Sequence, residues 1–151
     1  MAVFVADEQS RPVDSERLLR LASFVLRDQG VPEAMEVSLL FVERDVIAEL
    51  NAHHMGAEGP TDVLAFPIDM PGETRADQPA ILGDVVICPE VAADQAGRHD
   101  NEPIAELELL VAHGLLHLLG HDHAEPDDRA RMFSLTDRLL GTFRSGEAVS
   151  P

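Results

Sequence analysis

Lysine, tryptophan and tyrosine are absent from this 151-residue chain, and cysteine occurs only once. The single Cys88 rules out an intramolecular disulfide and fits a reducing compartment. Without tryptophan or tyrosine there are few flat side chains on which nucleobases could stack. The basic residues are all arginine, eleven of them, a matter of codon bias rather than chemistry. They are outnumbered by 28 acidic residues, for a formal net charge of −17. Such a chain repels phosphate backbones at long range, so composition alone argues against nucleic acid unless a local basic patch overrules it. No apolar run approaches the roughly 20 residues that span a bilayer, and no membrane association is expected. The N-terminus, Met1-Ala-Val-Phe-Val-Ala-Asp7, has neither the basic region nor the apolar stretch of a signal peptide.

What is present is enough apolar material, 45% of residues, for one real core. A single domain over residues 1–151 is expected, with residues 142–151 as a loose tail. Val3–Val5 reads as a strand. Leu18, Leu19, Ala22, Val25 and Leu26 recur at helical spacing and are closed by Gly30 and Pro32. Residues 36–42 form an apolar run of strand length. Asp45 is placed to cap a helix carrying Val46, Ile47 and Leu50 that ends near Asn51, with residues 53–60 as a loop. Residues 61–66 and 81–88 are strand-like, separated only by the Pro-, Gly- and acid-rich stretch 69–79, which suggests a mobile surface loop and an antiparallel step. Pro89, Pro103 and Pro126 each suit the first turn of a helix, the last of which runs to Gly141. The pattern predicts an α+β domain, a mixed four-stranded sheet packed with about five helices. The helix after Pro103 is apolar on nearly every side and should lie buried at the centre.

That helix carries the chemistry. His113-Gly-Leu-Leu-His117-Leu-Leu-Gly120-His121-Asp122-His123 sets two imidazoles four residues apart, on one helical face. Gly120 tolerates positive φ, so the chain can reverse and return His123 to the same point. Three neutral imidazoles make a zinc site with one position open for water, whose pKa zinc lowers to about 7. His121 competes for third ligand, but its place directly after the glycine points it toward solvent. The spacing is that of the metzincin peptidases, H-E-x-x-H-x-x-G-x-x-H, with one decisive change. The general-base glutamate is replaced by Gly114, so peptide hydrolysis is not expected. Imidazole also accepts nickel and other divalent ions, which the pattern does not separate from zinc.

The segment His113–His123 resembles the signature of the YbeY family of bacterial metal-dependent endoribonucleases and rRNA maturation factors. Pro60-Thr-Asp-Val-Leu-Ala-Phe-Pro67 is similar to the family's P-T-D-V-L-S-F-P, and Leu82-Gly-Asp-Val-Val-Ile-Cys-Pro-Glu90 to its L-G-D-I-x-I-x-x-E. The match covers roughly residues 35 to 140. The resemblance implies a cytoplasmic, single-strand-specific endoribonuclease that matures the 3′ end of 16S ribosomal RNA and serves ribosome quality control. It further implies the small ribosomal subunit as partner, no DNA substrate, and one Zn2+ held by His113, His117 and His123. Asp62, Asp84 and Asp122 lie inside the matching motifs and are the candidates for a catalytic base or for orienting a ligand histidine. Cys88 could in principle be a fourth ligand, although a small buried core residue is its ordinary role. Two departures stand out. Met55 occupies the position where many members carry an arginine after the loop asparagine, here Asn51, so a phosphate contact would fall to Arg44, Arg75, Arg98 or backbone N–H groups. Ala65 replaces the usual serine. A ribosome-assembly binding factor with a structural zinc, and a hydrolase of some other small substrate, are the competing readings.

Overall fold

The computed structural model describes residues 2–70, 80–121 and 125–149. Four strands and five helices follow one another as β1 (Ala2–Glu8), α1 (Ser15–Asp28), β2 (Met35–Val42), α2 (Arg44–Met55), β3 (Val63–Pro67), β4 (Ala80–Ile87), α3 (Pro89–Arg98), α4 (Pro103–Leu118) and α5 (Pro126–Val149). The sheet order is β1-β2-β4-β3. β1 and β4 flank β2 in parallel, while β3 runs antiparallel to β4 at the edge. The sheet is therefore mixed, with the antiparallel step between β3 and β4, consecutive among the described elements.

Strand alternation divides the interior in two. Val37, Leu39 and Phe41 of β2 join Val85 and Ile87 of β4 on one face, under α1 and α4. Leu40 and Val42 join Val86, Leu64 and Phe66 on the other, covered by Ile47 and Leu50 of α2. The larger core is built around α4, where Val111, Leu115, Leu116 and Leu118 are fully buried. Each such side chain contributes roughly 1.5–3 kcal/mol on leaving water.

Within this fold two carboxylates lie buried on the helix that the sequence reads as apolar on nearly every side. Glu108 of α4 is 2% exposed and takes Arg17 Nε of α1 at 2.6 Å and Arg144 Nε of α5 at 2.9 Å. Glu106, equally buried, faces His99 Nδ1 at 3.3 Å. A charge inside a core is tolerated only when paired, and here the pairing fastens α1 and α5 to the central helix.

Three expected boundaries move. Residues 142–149, expected to be a loose tail, continue α5 to Val149. Phe143 is buried against Phe24, ring centroids 6.0 Å apart, and Arg144 reaches Glu108, so burial and an ion pair carry the helix past Gly141. α2 runs beyond Asn51 to Met55 and stops at Gly56, whose φ of 65° is left-handed. Glu43, not Asp45, is the residue before its first turn; the Asp45 carboxylate accepts instead from Val46 N, one residue on. The stretch 69–79 falls mostly outside the described residues, yet Ile68 and Asp69 still donate to Leu82 O and Ile81 O, at 3.0 and 2.9 Å, and prolong the β3–β4 pairing.

Candidate metal centre

α4 ends in a Schellman turn. His121 N donates to Leu116 O and Gly120 N to His117 O, both at 3.0 Å, and Gly120 takes φ 95°. The glycine thus performs the reversal expected of it, immediately after the two helical histidines. His113 and His117 are one turn apart on α4, with Cβ atoms about 5–6 Å from each other. Both are half-buried in an otherwise leucine-lined helix, and Nε2 of His113 is fully buried. The His113 ring also lies 5.5 Å, centroid to centroid, from Phe133 of α5.

Beside His117 opens a groove of about 540 Å³. Gly114 and His117 form its α4 side, and Val63, Ala65 and Pro67 of β3 its other side. Met55, Thr61 and Asp62 close one end. Gly114 explains the missing glutamate. A Cβ built on Gly114 would run into Val85 Cγ1 and come within 3.2 Å of Val85 Cγ2 and 3.4 Å of Val63 Cγ2. α4 rests so closely on β3 and β4 that no side chain fits, and the peptidase base has no place there. At the other end of the helix Met70 reaches the Gly120 turn, its Cε 3.9 Å from where a Cβ would stand.

The candidate carboxylates separate in space. Asp62 lines the groove with His117, and its Oδ1 is fixed by Val63 N at 2.8 Å and Thr61 Oγ1 at 3.2 Å. No hydrogen bond from the described residues occupies Oδ2. Asp84 follows Gly83 and precedes Val85 on β4. Since Val85 faces α4, strand alternation turns Asp84 to the opposite, α2 side of the sheet. Asp122 and His123 lie outside the described residues, which contain no cluster of three or more His, Cys, Asp or Glu able to share an ion. Cys88 is fully buried in the smaller core with Val42, Ile47 and Val86, and burial pushes its thiol up, away from the thiolate a metal would need. Its role is packing at the head of α3, with its N–H bonded to Asp62 O at 3.0 Å.

None of the described arginines lines the groove. Arg44 is held by Glu90 at 3.3 Å and Asp94 at 2.6 Å, both on α3, and these acids keep its pKa raised. Arg98 closes α3, and Arg75 lies outside the described residues. Met55, half-exposed, stands in the groove where an arginine was looked for. Thr61, part of the matching motif but given no role there, donates its hydroxyl to Asp62 Oδ1 and helps orient it.

A family model described as Endoribonuclease YbeY matches residues 4–144. The chain belongs to the endoribonuclease YbeY family. It is 48% identical to the Endoribonuclease YbeY of Salinispora tropica, over 96% of this chain and 98% of the relative. It is 49% identical to that of Thermobifida fusca, over 95% of each chain. The solution structure of TM1509 from Thermotoga maritima covers 99% of this chain and 96% of its own at a TM-score of 0.60 and 24% identity, a likeness of fold. The donor set suits the metal the family pattern implies: two imidazoles one helical turn apart, one with a buried ring nitrogen, are borderline-soft ligands for which zinc is apt.

Proposed function

We propose that the chain is a zinc-dependent, single-strand-specific endoribonuclease that acts in 16S rRNA 3′-end maturation and ribosome quality control, in the cytoplasm and on the small ribosomal subunit. The observation that carries the proposal is the pair His113 and His117, one turn apart on a buried helix, with His117 lining a groove that also holds Asp62. His113, His117 and His123 would hold one Zn2+, which when bound supplies a Lewis acid for the charge that develops on phosphate and lowers the pKa of a bound water to about 7. The second ring nitrogen of each histidine must be fixed by a neighbour, as ligand imidazoles usually are. Asp62 is the groove carboxylate suited to the proton. Its Oδ1 is committed to Val63 N and Thr61 Oγ1, which leaves Oδ2 to take a proton from the attacking hydroxyl. Asp84, on the far side of the sheet, takes no part in that transfer. Apolar Val63, Ala65 and Pro67 form the wall of the groove that faces His117, and the absent side chain of Gly114 lets α4 rest directly on that wall.

The test pairs metal analysis with cleavage. Purified protein should contain about one zinc and cut single-stranded RNA. His117→Ala should lose both, and Asp62→Asn should lose cleavage with zinc retained. Cleavage undiminished in His117→Ala would remove the metal from the reaction. A zinc-replete protein that cuts no RNA, with rRNA precursors accumulating in cells lacking the gene, would favour an assembly factor whose zinc is structural.

A further inference from the structure

β3 is an edge strand, and its free edge borders the groove. The phase of its hydrogen bonds tells which peptide groups face outward. Asp62 O accepts from Cys88 N and Ile68 N donates to Leu82 O, both at 3.0 Å, so the even-numbered residues are turned toward β4. Val63, Ala65 and Pro67 then direct their peptide groups away from the sheet. Val63 N–H is already taken by Asp62 Oδ1 at 2.8 Å, and Pro67 has no N–H. Among the described residues of this edge, Ala65 alone keeps both its N–H and its C=O free, and it lies across the groove from His117.

An extended residue presents its N–H and C=O side by side, a donor next to an acceptor. We infer that the outward N–H and C=O of Ala65 bind the Watson–Crick edge of one unpaired nucleobase beside the cleaved bond. Every base offers a matching acceptor and donor on that edge; uracil gives O4 to the Ala65 N–H and its N3–H to the Ala65 carbonyl. In a duplex the same edge is occupied, so this contact selects single strands while remaining tolerant of sequence. It needs neither an aromatic platform nor a positive charge, and this chain has no tryptophan or tyrosine to offer. One free donor–acceptor pair suits a base better than a peptide strand, which pairs over several residues.

The inference rests on the ribonuclease reading for its ligand, and the experiment keeps the two apart by measuring binding as well as cleavage. The probes are a single-stranded oligouridylate and the same oligomer made with N3-methyluridine. Ala65→Pro removes the N–H at a position outside the β3–β4 ladder, where an edge strand tolerates proline and where Pro67 already sits in the same phase. Its zinc content and melting temperature should match the parent, and its affinity for oligouridylate should fall about tenfold. Methylation of N3 should weaken binding to the unsubstituted protein by a similar factor and add little to the loss in Ala65→Pro, because both changes break one contact. Equal binding of methylated and unmethylated RNA by the unsubstituted protein overturns the inference whatever becomes of the variant. Competition by an extended peptide, with methylation ineffective, also overturns it and assigns the edge to strand addition. Binding that depends on Ala65 without cleavage would sustain this inference and defeat the ribonuclease reading; cleavage indifferent to Ala65 and N3 would do the reverse.

Discussion

Replacing Gly114 by alanine reverses the sign that helix propensity alone would give. In an open helical position the change stabilises by about 1 kcal/mol. Here the new methyl would meet Val85 Cγ1 at less than contact distance and stand 3.2 Å from Cγ2. Val85 is fully buried and β-branched, so it has neither a vacant direction nor a free χ1 in which to retreat. Overpacking of this kind costs typically 1–3 kcal/mol. Net of propensity, Gly114→Ala should be destabilised by up to about 2 kcal/mol, a fall of a few degrees in melting temperature for a domain of this size. Urea unfolding followed by circular dichroism measures it. The cause is isolated by a cycle with Val85→Ala, which removes both offending methyls. In that background Gly114→Ala should become neutral or stabilising, a coupling of about 1–2 kcal/mol between two residues in contact. Zinc content should follow stability, since lifting α4 off the sheet displaces His113 and His117 together. A Gly114→Ala protein more stable than its parent would refute the close approach, and with it the explanation of why no glutamate stands there.

Other consequences are as direct. The Asp28 carboxyl is held below its usual range first by its hydrogen bond to Arg138, and Glu147 likewise by Arg20; both pairs join α1 to α5. Depressed carboxylate pKa values stabilise the fold above the unfolded values near 4, and that contribution is lost as pH falls through them. Asp28→Asn with Glu147→Gln should therefore lower stability at pH 7 and flatten its decline below about pH 5; an unchanged decline refutes the assignment. Ending the chain after Gly141 removes buried Phe143 and the Arg144 partner of Glu108, and should cost at least about 3–5 kcal/mol in urea unfolding. An unchanged midpoint would mean that the last turns of α5 carry no packing. RNA affinity should depend only weakly on salt, since none of the described arginines lines the groove and contact with one or two phosphates corresponds to a log–log slope of about −1; a slope steeper than about −4 would reveal a basic patch.

Much of this fold is legible because its signals are local. Proline at the first turns of α3, α4 and α5, glycine at the end of α4, and strand-length apolar runs are all read from neighbours in sequence. Two strand-like runs separated only by a Pro-, Gly- and acid-rich stretch imply the antiparallel pair β3–β4, and an all-round apolar helix implies its own burial. The misjudged features depend on distant residues. α5 outruns Gly141 because Phe143 finds Phe24 and Arg144 finds Glu108, partners more than thirty residues away. Glu106 and Glu108 look like surface charges until Arg17, Arg144 and His99 are brought to them. At the site, the i, i+4 histidines and the glycine turn are legible, whereas the choice among the aspartates is not. Asp62 and Asp84 sit in equally persuasive motifs. Only the hand of β4, with Val85 turned to α4, sends Asp84 to the far face.

The acidity of the chain then bears on how RNA can be held at all. Six of the arginines, Arg17, Arg20, Arg44, Arg131, Arg138 and Arg144, are spent on carboxylates of the same molecule. Arg44 and Arg98, the described candidates for a phosphate, stand on α2 and α3 outside the groove. A nuclease built this way cannot gather RNA by long-range attraction, because its own field is repulsive. Among the described residues, what remains near His117 is short-ranged: the apolar Met55 and Val63, the hydroxyl of Thr61, the carboxylate of Asp62 and the peptide groups of Ala65. Such contacts act only once a strand lies in the groove, and a base can reach them only when it is unpaired. Weak, salt-insensitive capture and preference for single strands are on this view two results of the same arrangement, and a strong, salt-steep affinity for duplex RNA would contradict both together.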